Sequence, residues 1–229
     1  MKIHRFFIAQ QVPKDGEIII SDGSLLNQWR NVLRMKAGDK VTVFDGSGEE
    51  ALCELRALDK KSASLLVLEK KKGFAPEREI TLFMSLIKRD NFELVLEKAT
   101  ELGVTRIVPV EASHNEKKGL NRERSEKILR EASEQSGRAT VPGLGEIIDI
   151  KNIPVDTLVV FDPCGKKFAR EFFTTNATVP RSILIGPEGG FTDEEIEFFK
   201  TKGAPIFTLG KAILRAETAA IVVLAIIMK

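Results

Sequence analysis

The chain has 229 residues, and its 35 basic and 33 acidic side chains leave a formal net charge of only +2. Forty-three per cent of residues are apolar and 30% are charged, the make-up of a folded globular protein rather than a disordered one. That balance excludes a generally basic surface, so any nucleic-acid interface must be local.

Residue types narrow the chemistry further. His4 and His114 are the only histidines and tyrosine is absent, so there is no paired-histidine zinc helix and no phenolic base, and no metal site is expected. Catalysis falls to carboxylates, Arg, Lys, hydroxyls and backbone amides. Cys53 and Cys164 lie far apart without Cys-x-x-Cys spacing and read as reduced, buried thiols. The longest apolar run, Ala219 to Met228, is about half a membrane span. The opening MKIHRFFIAQ lacks the apolar stretch of a signal peptide. The chain reads as cytoplasmic, with no membrane segment.

Residues 1–72 form the first expected domain. Short apolar runs at Ile18 to Ile20, Val41 to Phe44, Ala51 to Leu55 and Ser64 to Leu68 alternate with turns at Asp22-Gly23, Gly38-Asp39 and Asp45-Gly46, which predicts strands. Between them, Leu25 to Met35 has helical spacing. Many strands and one helix suggest a small barrel. Glu69 to Glu79 reads as a charged, solvated linker. Residues 1–75 carry a net +3 and the remainder −1.

The second expected domain, 73–229, alternates strands and helices. Ile80 to Ile87 reads as a strand, and Asp90 as the cap of a helix with Phe92, Val95, Ala99 and Leu102 on its apolar face, ended by Gly103. A strand over Val104 to Val110 and a helix over Asn121 to Ser136 follow. Next come a strand at Thr157 to Phe161, a short helix near Lys167 to Phe173 and a buried strand at Ser182 to Ile185. Thr192 and Glu195 make a capping box, then come a strand at Pro205 to Leu209 and a closing helix to Met228. The alternation predicts an α/β domain with a mainly parallel sheet. The basic run Lys117, Lys118, Arg122, Arg124, Lys127, Arg130 and Arg138 is interleaved with acids, as on a salt-bridged helix face.

Several familiar signatures fail. Gly143-Leu144-Gly145 lacks the third glycine of a dinucleotide fingerprint, Gly210-Lys211 lacks the hydroxyl of a phosphate loop, and Ser85 with Lys88 lacks companion motifs. Two glycine-containing strand ends remain. Gly186-Pro187-Glu188-Gly189-Gly190 follows a buried strand, and Leu209-Gly210-Lys211-Ala212-Ile213-Leu214 follows the next. Ligands bind beyond the carboxyl ends of parallel strands, and glycines let backbone approach them closely. If the two strands are neighbours, the loops share a pocket suited to an uncharged heterocycle such as adenine.

At these residues the chain resembles a known family. GPEGGF at 186–191, the LG–ILRAETA run at 209–219 and EASEQSGR at 131–138 are similar to RsmE-type small-subunit ribosomal RNA uridine N3-methyltransferases of the SPOUT superfamily. EKATELGV at 97–104, NVLRMKAGD at 31–39 and FDGSG at 44–48 extend the resemblance over nearly the whole chain. It implies a PUA-like β-barrel that helps hold RNA, then an α/β SPOUT domain with a deep trefoil knot, S-adenosyl-L-methionine as cofactor, and a homodimer. The implied cofactor contacts are Gly186, Pro187, Glu188, Gly189, Leu209, Gly210, Ile213 and Leu214. The chain departs from the family where Ser113-His114-Asn115 replaces the frequent Ser-Glu-Arg, where Ala212 replaces the usual Arg, and where a Trp is missing ahead of EQSGR.

Transfer to uracil N3 needs alignment and removal of the N3 proton. Glu134 and Arg138, four apart on the helix end, are the candidate base and the candidate stabiliser of charge on O2 and O4. An ordinary salt bridge at that spacing is the simpler alternative. Arg5, Arg30, Arg34, Lys36 and Lys88 are candidate RNA phosphate contacts, and N3 requires an unpaired or flipped base. The expected partner is ribosomal RNA in the assembled small subunit. Two other readings stand: a knotted enzyme acting on a transfer-RNA ribose 2′-hydroxyl, and a non-catalytic ribosome-assembly factor.

Overall fold

The alternating apolar runs of the first 75 residues form a five-stranded sheet in a computed structural model that describes residues 3–115, 119–168 and 181–228. The strands are β1 (His4–Phe7), β2 (Glu17–Ile20), β3 (Lys40–Phe44), β4 (Glu49–Leu58) and β5 (Ala63–Lys72), in the order β1-β3-β4-β5-β2. β1 runs parallel to β3 and the other neighbours are antiparallel. One side chain in two faces inward: Ile18 and Ile20 are buried while Glu17 and Ile19 are exposed, as a sheet with one wet face requires. Phe6, Leu26, Trp29, Val41, Val43, Cys53, Leu55 and Leu65 form the core.

The helix expected over Leu25 to Met35 is shorter and changes pitch. α1 (Gly23–Asn27) is capped by Asp22, which accepts from the amides of Ser24 and Leu25. Gln28–Val32 then continues as a π-turn, with Leu33 N–H reaching the Gln28 carbonyl. The wider turn puts Trp29 fully inside, its ring 5.1 Å from that of Phe6.

The expected linker at 69–79 is a correction. β5 runs to Lys72, Lys70 donates to the Val12 carbonyl and pairs with Glu49, and Phe74 bridges to Arg138. A Cβ at Gly73 would lie 2.4 Å from that of Ala139, so only glycine allows this approach. Accordingly, the compact unit that runs to Ala75 also includes Ser133–Val141, and the second comprises Pro76–Ala132 with the chain from Pro142 onward. This division differs from one at 72/73.

The second unit is built on a parallel sheet. Its strands are β6 (Ile80–Ser85), β7 (Arg106–Glu111), β8 (Gly143–Leu144), β9 (Ile148–Asp149), β10 (Leu158–Lys167), β11 (Arg181–Ile185) and β12 (Ile206–Thr208). The order is β12-β10-β11-β6-β7-β8, with β9 also on β7 and every pairing parallel. Central strands are apolar on both faces, as helix-covered parallel strands must be: Ile183, Leu184 and Ile185 are all buried.

The helices are α2 (Arg89–Glu101), α3 (Arg122–Ser136), α4 (Asp193–Thr201) and α5 (Ala216–Ile227). α2 packs on α5. Lys88, not Asp90, occupies the N-cap position of α2, and Asp90 falls in the first turn. Gly103 ends α2 at φ +100°. The basic face of α3 is salt-bridged as expected, by Arg122–Glu126, Arg124–Glu93 and Lys127–Glu131; Lys117 and Lys118 lie outside the described residues. Lys167 closes β10 instead of starting a helix, and the rest of that expected helix from 169 lies outside the described residues. Among the described residues no helix is long and apolar enough to cross a membrane.

Candidate active site

Parallel pairing brings three strand ends to one edge of the second unit. β10 lies between the other two: Phe161 pairs with Ile185 of β11 on one side and Phe207 of β12 on the other. The expectation that the two glycine-bearing strands are neighbours is therefore corrected. β10 also continues beyond Phe161, with a register shift before Lys166. A Cβ at Gly165 would lie 2.5 Å from the Phe207 carbonyl carbon, so a glycine is required where β10 passes β12.

A cavity of about 330 Å³, counting its open mouth, lies beside the middle of β10 and the end of β12, lined by Phe161, Asp162, Pro163, Thr208, Leu209, Ala212, Ile213, Leu214 and Ala219. Of the expected cofactor residues, Leu209, Ile213 and Leu214 are in its wall. Gly210 is in the turn above it at φ +144°, closed by Thr208 Oγ1 donating to its carbonyl. Ile213 is 84% exposed, the most exposed large apolar side chain among the described residues. Sequence reasoning missed Phe161, Asp162 and Pro163. The available signal was an acid placed directly after a buried strand. Asp162 Oδ1 accepts from the Cys164 amide at 2.9 Å, which fixes the carboxylate at the rim.

Gly186, Pro187, Glu188 and Gly189 form the adjoining turn after β11, outside the cavity lining. The turn is tied down on several sides. Gly190 N–H donates to the Pro187 carbonyl, and Glu188 Oε1 accepts from the Lys88 amide at 3.2 Å. Lys88 offers α2 no side-chain cap, so Glu188 supplies the negative charge that a helix N-terminus favours. Thr192 and Glu195 form the capping box of α4, and Glu195 Oε1 also accepts from Ser113 N–H at 2.8 Å. His114 Nδ1 lies 3.1 Å from both the Gly189 and Gly190 carbonyls. At the start of α5, Glu217 is buried and its Oε2 has no hydrogen-bond partner among the described residues.

The candidate catalytic pair belongs to the first unit. Glu134 Oε1 accepts from the Phe7 amide at 2.8 Å. Arg138 is 1% exposed, and its Nε and one terminal nitrogen lie 3.3 and 3.1 Å from Thr140 Oγ1. Burial pulls its pKa down to about 10, so it stays charged at neutral pH. The guanidinium is thus an internal charge, which departs from an open substrate contact.

Arg5 also departs from expectation. Its guanidinium pairs with Glu50, stands 5.2 Å over the Phe44 ring and donates to the Arg138 carbonyl, which leaves little of it for phosphate. Arg34 and Lys36 are exposed and Arg30 is half-buried, all within one nine-residue stretch after α1. Lys88 is exposed in the other unit. Cys53 is buried as expected, but Cys164 is exposed.

Comparisons with known proteins point to one family. Residues 75–228 match the model of an RNA methyltransferase domain, and residues 30–68 that of an RNA methyltransferase PUA domain. A Rickettsia conorii protein named ribosomal RNA small subunit methyltransferase E is 31% identical over 98% of this chain and 95% of its own. The Bacillus subtilis protein of that name is 30% identical over 95% and 93%. The crystal structure of the Neisseria gonorrhoeae protein of that name, bound to S-adenosylmethionine, superposes with a TM-score of 0.89, at 29% identity, over 98% of this chain and 96% of that one.

Proposed function

Because the chain belongs to the ribosomal RNA small subunit methyltransferase E family, we propose that it methylates N3 of a uridine in small-subunit ribosomal RNA, with S-adenosylmethionine as methyl donor. The observation that carries this reading is the cavity between the middle of β10 and the end of β12, with the braced glycine turn after the neighbouring β11.

The residues fit the cofactor. Phe161, Leu209, Ile213 and Leu214 offer apolar walls to an adenine ring, glycines 186, 189 and 210 expose backbone, and Asp162 offers a carboxylate. When bound, S-adenosylmethionine supplies an electrophilic methyl on a sulfonium whose leaving group is a neutral thioether. The protein therefore needs no acid for the leaving side, and its work is to align and to exclude water. The nucleophile is the harder partner, because uracil N3 carries a proton. Glu134 is our proton acceptor. Arg138 stabilises charge on O2 and O4 through the field of a buried cation, which low dielectric strengthens. Arg30, Arg34, Lys36 and Lys88 take phosphates, and Arg5 contributes by holding Glu50 and β1. The finer architecture belongs to the same reading: a closed PUA-like barrel, a deep trefoil knot, a homodimer, and action on the assembled subunit in the cytoplasm.

The test is nucleoside mass mapping after the purified protein meets S-adenosylmethionine and unmodified small subunits. The expected product is one N3-methyluridine. A methylated ribose, or no methyl at all, overturns the assignment. Arg138→Ala is expected to lower the rate by about 10²-fold, and full activity in that variant removes Arg138 from the mechanism.

A further inference from the structure

Seven residues separate the end of β11 from the first residue of α4, and they include the glycine turn assigned above to cofactor binding. Flexible turns rich in glycine lose the most conformational freedom on ordering, so a preorganised cofactor loop needs outside restraint. The loop after β7 supplies it. Ser113 N–H donates to Glu195 Oε1 at 2.8 Å, which ties that loop to the cap of α4. One residue later, His114 Nδ1 lies 3.1 Å from both the Gly189 and the Gly190 carbonyl oxygens. Two carbonyls have no hydrogen to give, so Nδ1 must carry the proton and donate to both. A Cβ at Gly189 would come within 2.9 Å of the His114 Cβ: the imidazole stem is seated directly on the turn.

We propose that His114 is a positioning residue for cofactor binding, its Nδ1–H holding the Gly189 and Gly190 carbonyls and so fixing the direction of the turn at the carboxyl end of β11. The inference rests on the reading that residues 186–189 help hold S-adenosylmethionine. His114 does not touch the cofactor in this assignment; it sets the loop that does. The chemistry is particular to this side chain. A carboxylate at position 114 has no proton to offer two carbonyls at neutral pH. Asparagine does, because its amide nitrogen stands close to where Nδ1 stands.

Wild type, His114→Ala and His114→Asn should be compared by calorimetric titration with S-adenosylmethionine and, without it, by amide hydrogen exchange. His114→Ala is expected to weaken binding about fivefold to thirtyfold, the worth of a lost hydrogen bond with its ordering. Exchange should quicken within 186–192 and stay unchanged in β3 to β5. His114→Asn is expected to bind within about threefold of wild type. Equal affinity and equal exchange in His114→Ala overturn the assignment while leaving the cofactor reading intact. Faster exchange throughout that variant also overturns it, since His114 is then only a general stabiliser. A wild-type protein that fails to bind S-adenosylmethionine overturns the cofactor reading and this assignment together.

Discussion

Arg34 carries an unusual backbone for its type. Its φ is +54°, the only positive value among the described non-glycine residues, and it follows the π-turn at the position where helices commonly end in glycine. A side chain there costs roughly 1–2 kcal/mol. Retaining an exposed arginine in such a conformation is what a phosphate contact in this stretch would require. Arg34→Gly is therefore expected to raise the melting temperature by about 2 °C. The same variant should lower RNA affinity and reduce the slope of log K against log salt by about 1. A melting and salt-titration pair checks both signs, and an unchanged salt slope removes Arg34 from the RNA surface.

At the scale of elements, the passage of β10 across β12 shapes the cavity. Gly165 has no room for a side chain against the Phe207 backbone, so Gly165→Ala must push the strands apart. A cost of about 1–3 kcal/mol is expected, read as a fall in melting temperature, together with weaker S-adenosylmethionine binding. A variant that melts like wild type refutes the crowding. Most elements were legible in the sequence, because periodicity and caps are local: the Thr192–Glu195 box, the Gly103 stop and the buried β11 run all appear as read. What escaped was non-local. β1 looks like an unremarkable terminus until its pairing with β3 is seen. The neighbours of β11 depend on strand order, which no motif encodes. Asp162 joins the site only because the sheet sets β10 between the two glycine turns. The hydrogen bonds of Glu134 to Phe7 and of Arg138 to Thr140 were not legible either, since both partners lie outside α3.

The two cysteines give a readout for the whole molecule. Cys53 lies in the core of the first unit and burial pushes its thiol up to about 11, while Cys164 is exposed and raised by partial burial and by Asp162. A raised thiol pKa means less thiolate, so alkylation slows in both. Iodoacetamide at pH 8 should label one site per native chain, slowly, and two in guanidinium, as intact mass will show. Labelling of Cys53 then times the opening of that core. Rapid native labelling at both sites would contradict the burial of Cys53.

Helix α3 ends in the first unit although it begins in the second. Phe7 finds its acceptor in Glu134, Gly48 donates to the carbonyl of Ala139, and Phe74 accepts from the Ala139 amide. A ribosome releasing about 5–20 residues each second has thus delivered every strand of the small sheet several seconds before the stretch that completes it. During that interval β1 and the turn before β4 lack these partners. The order of synthesis and the order of assembly do not coincide in this protein, and its amino-terminal unit is finished only after the chain has begun to build the other one.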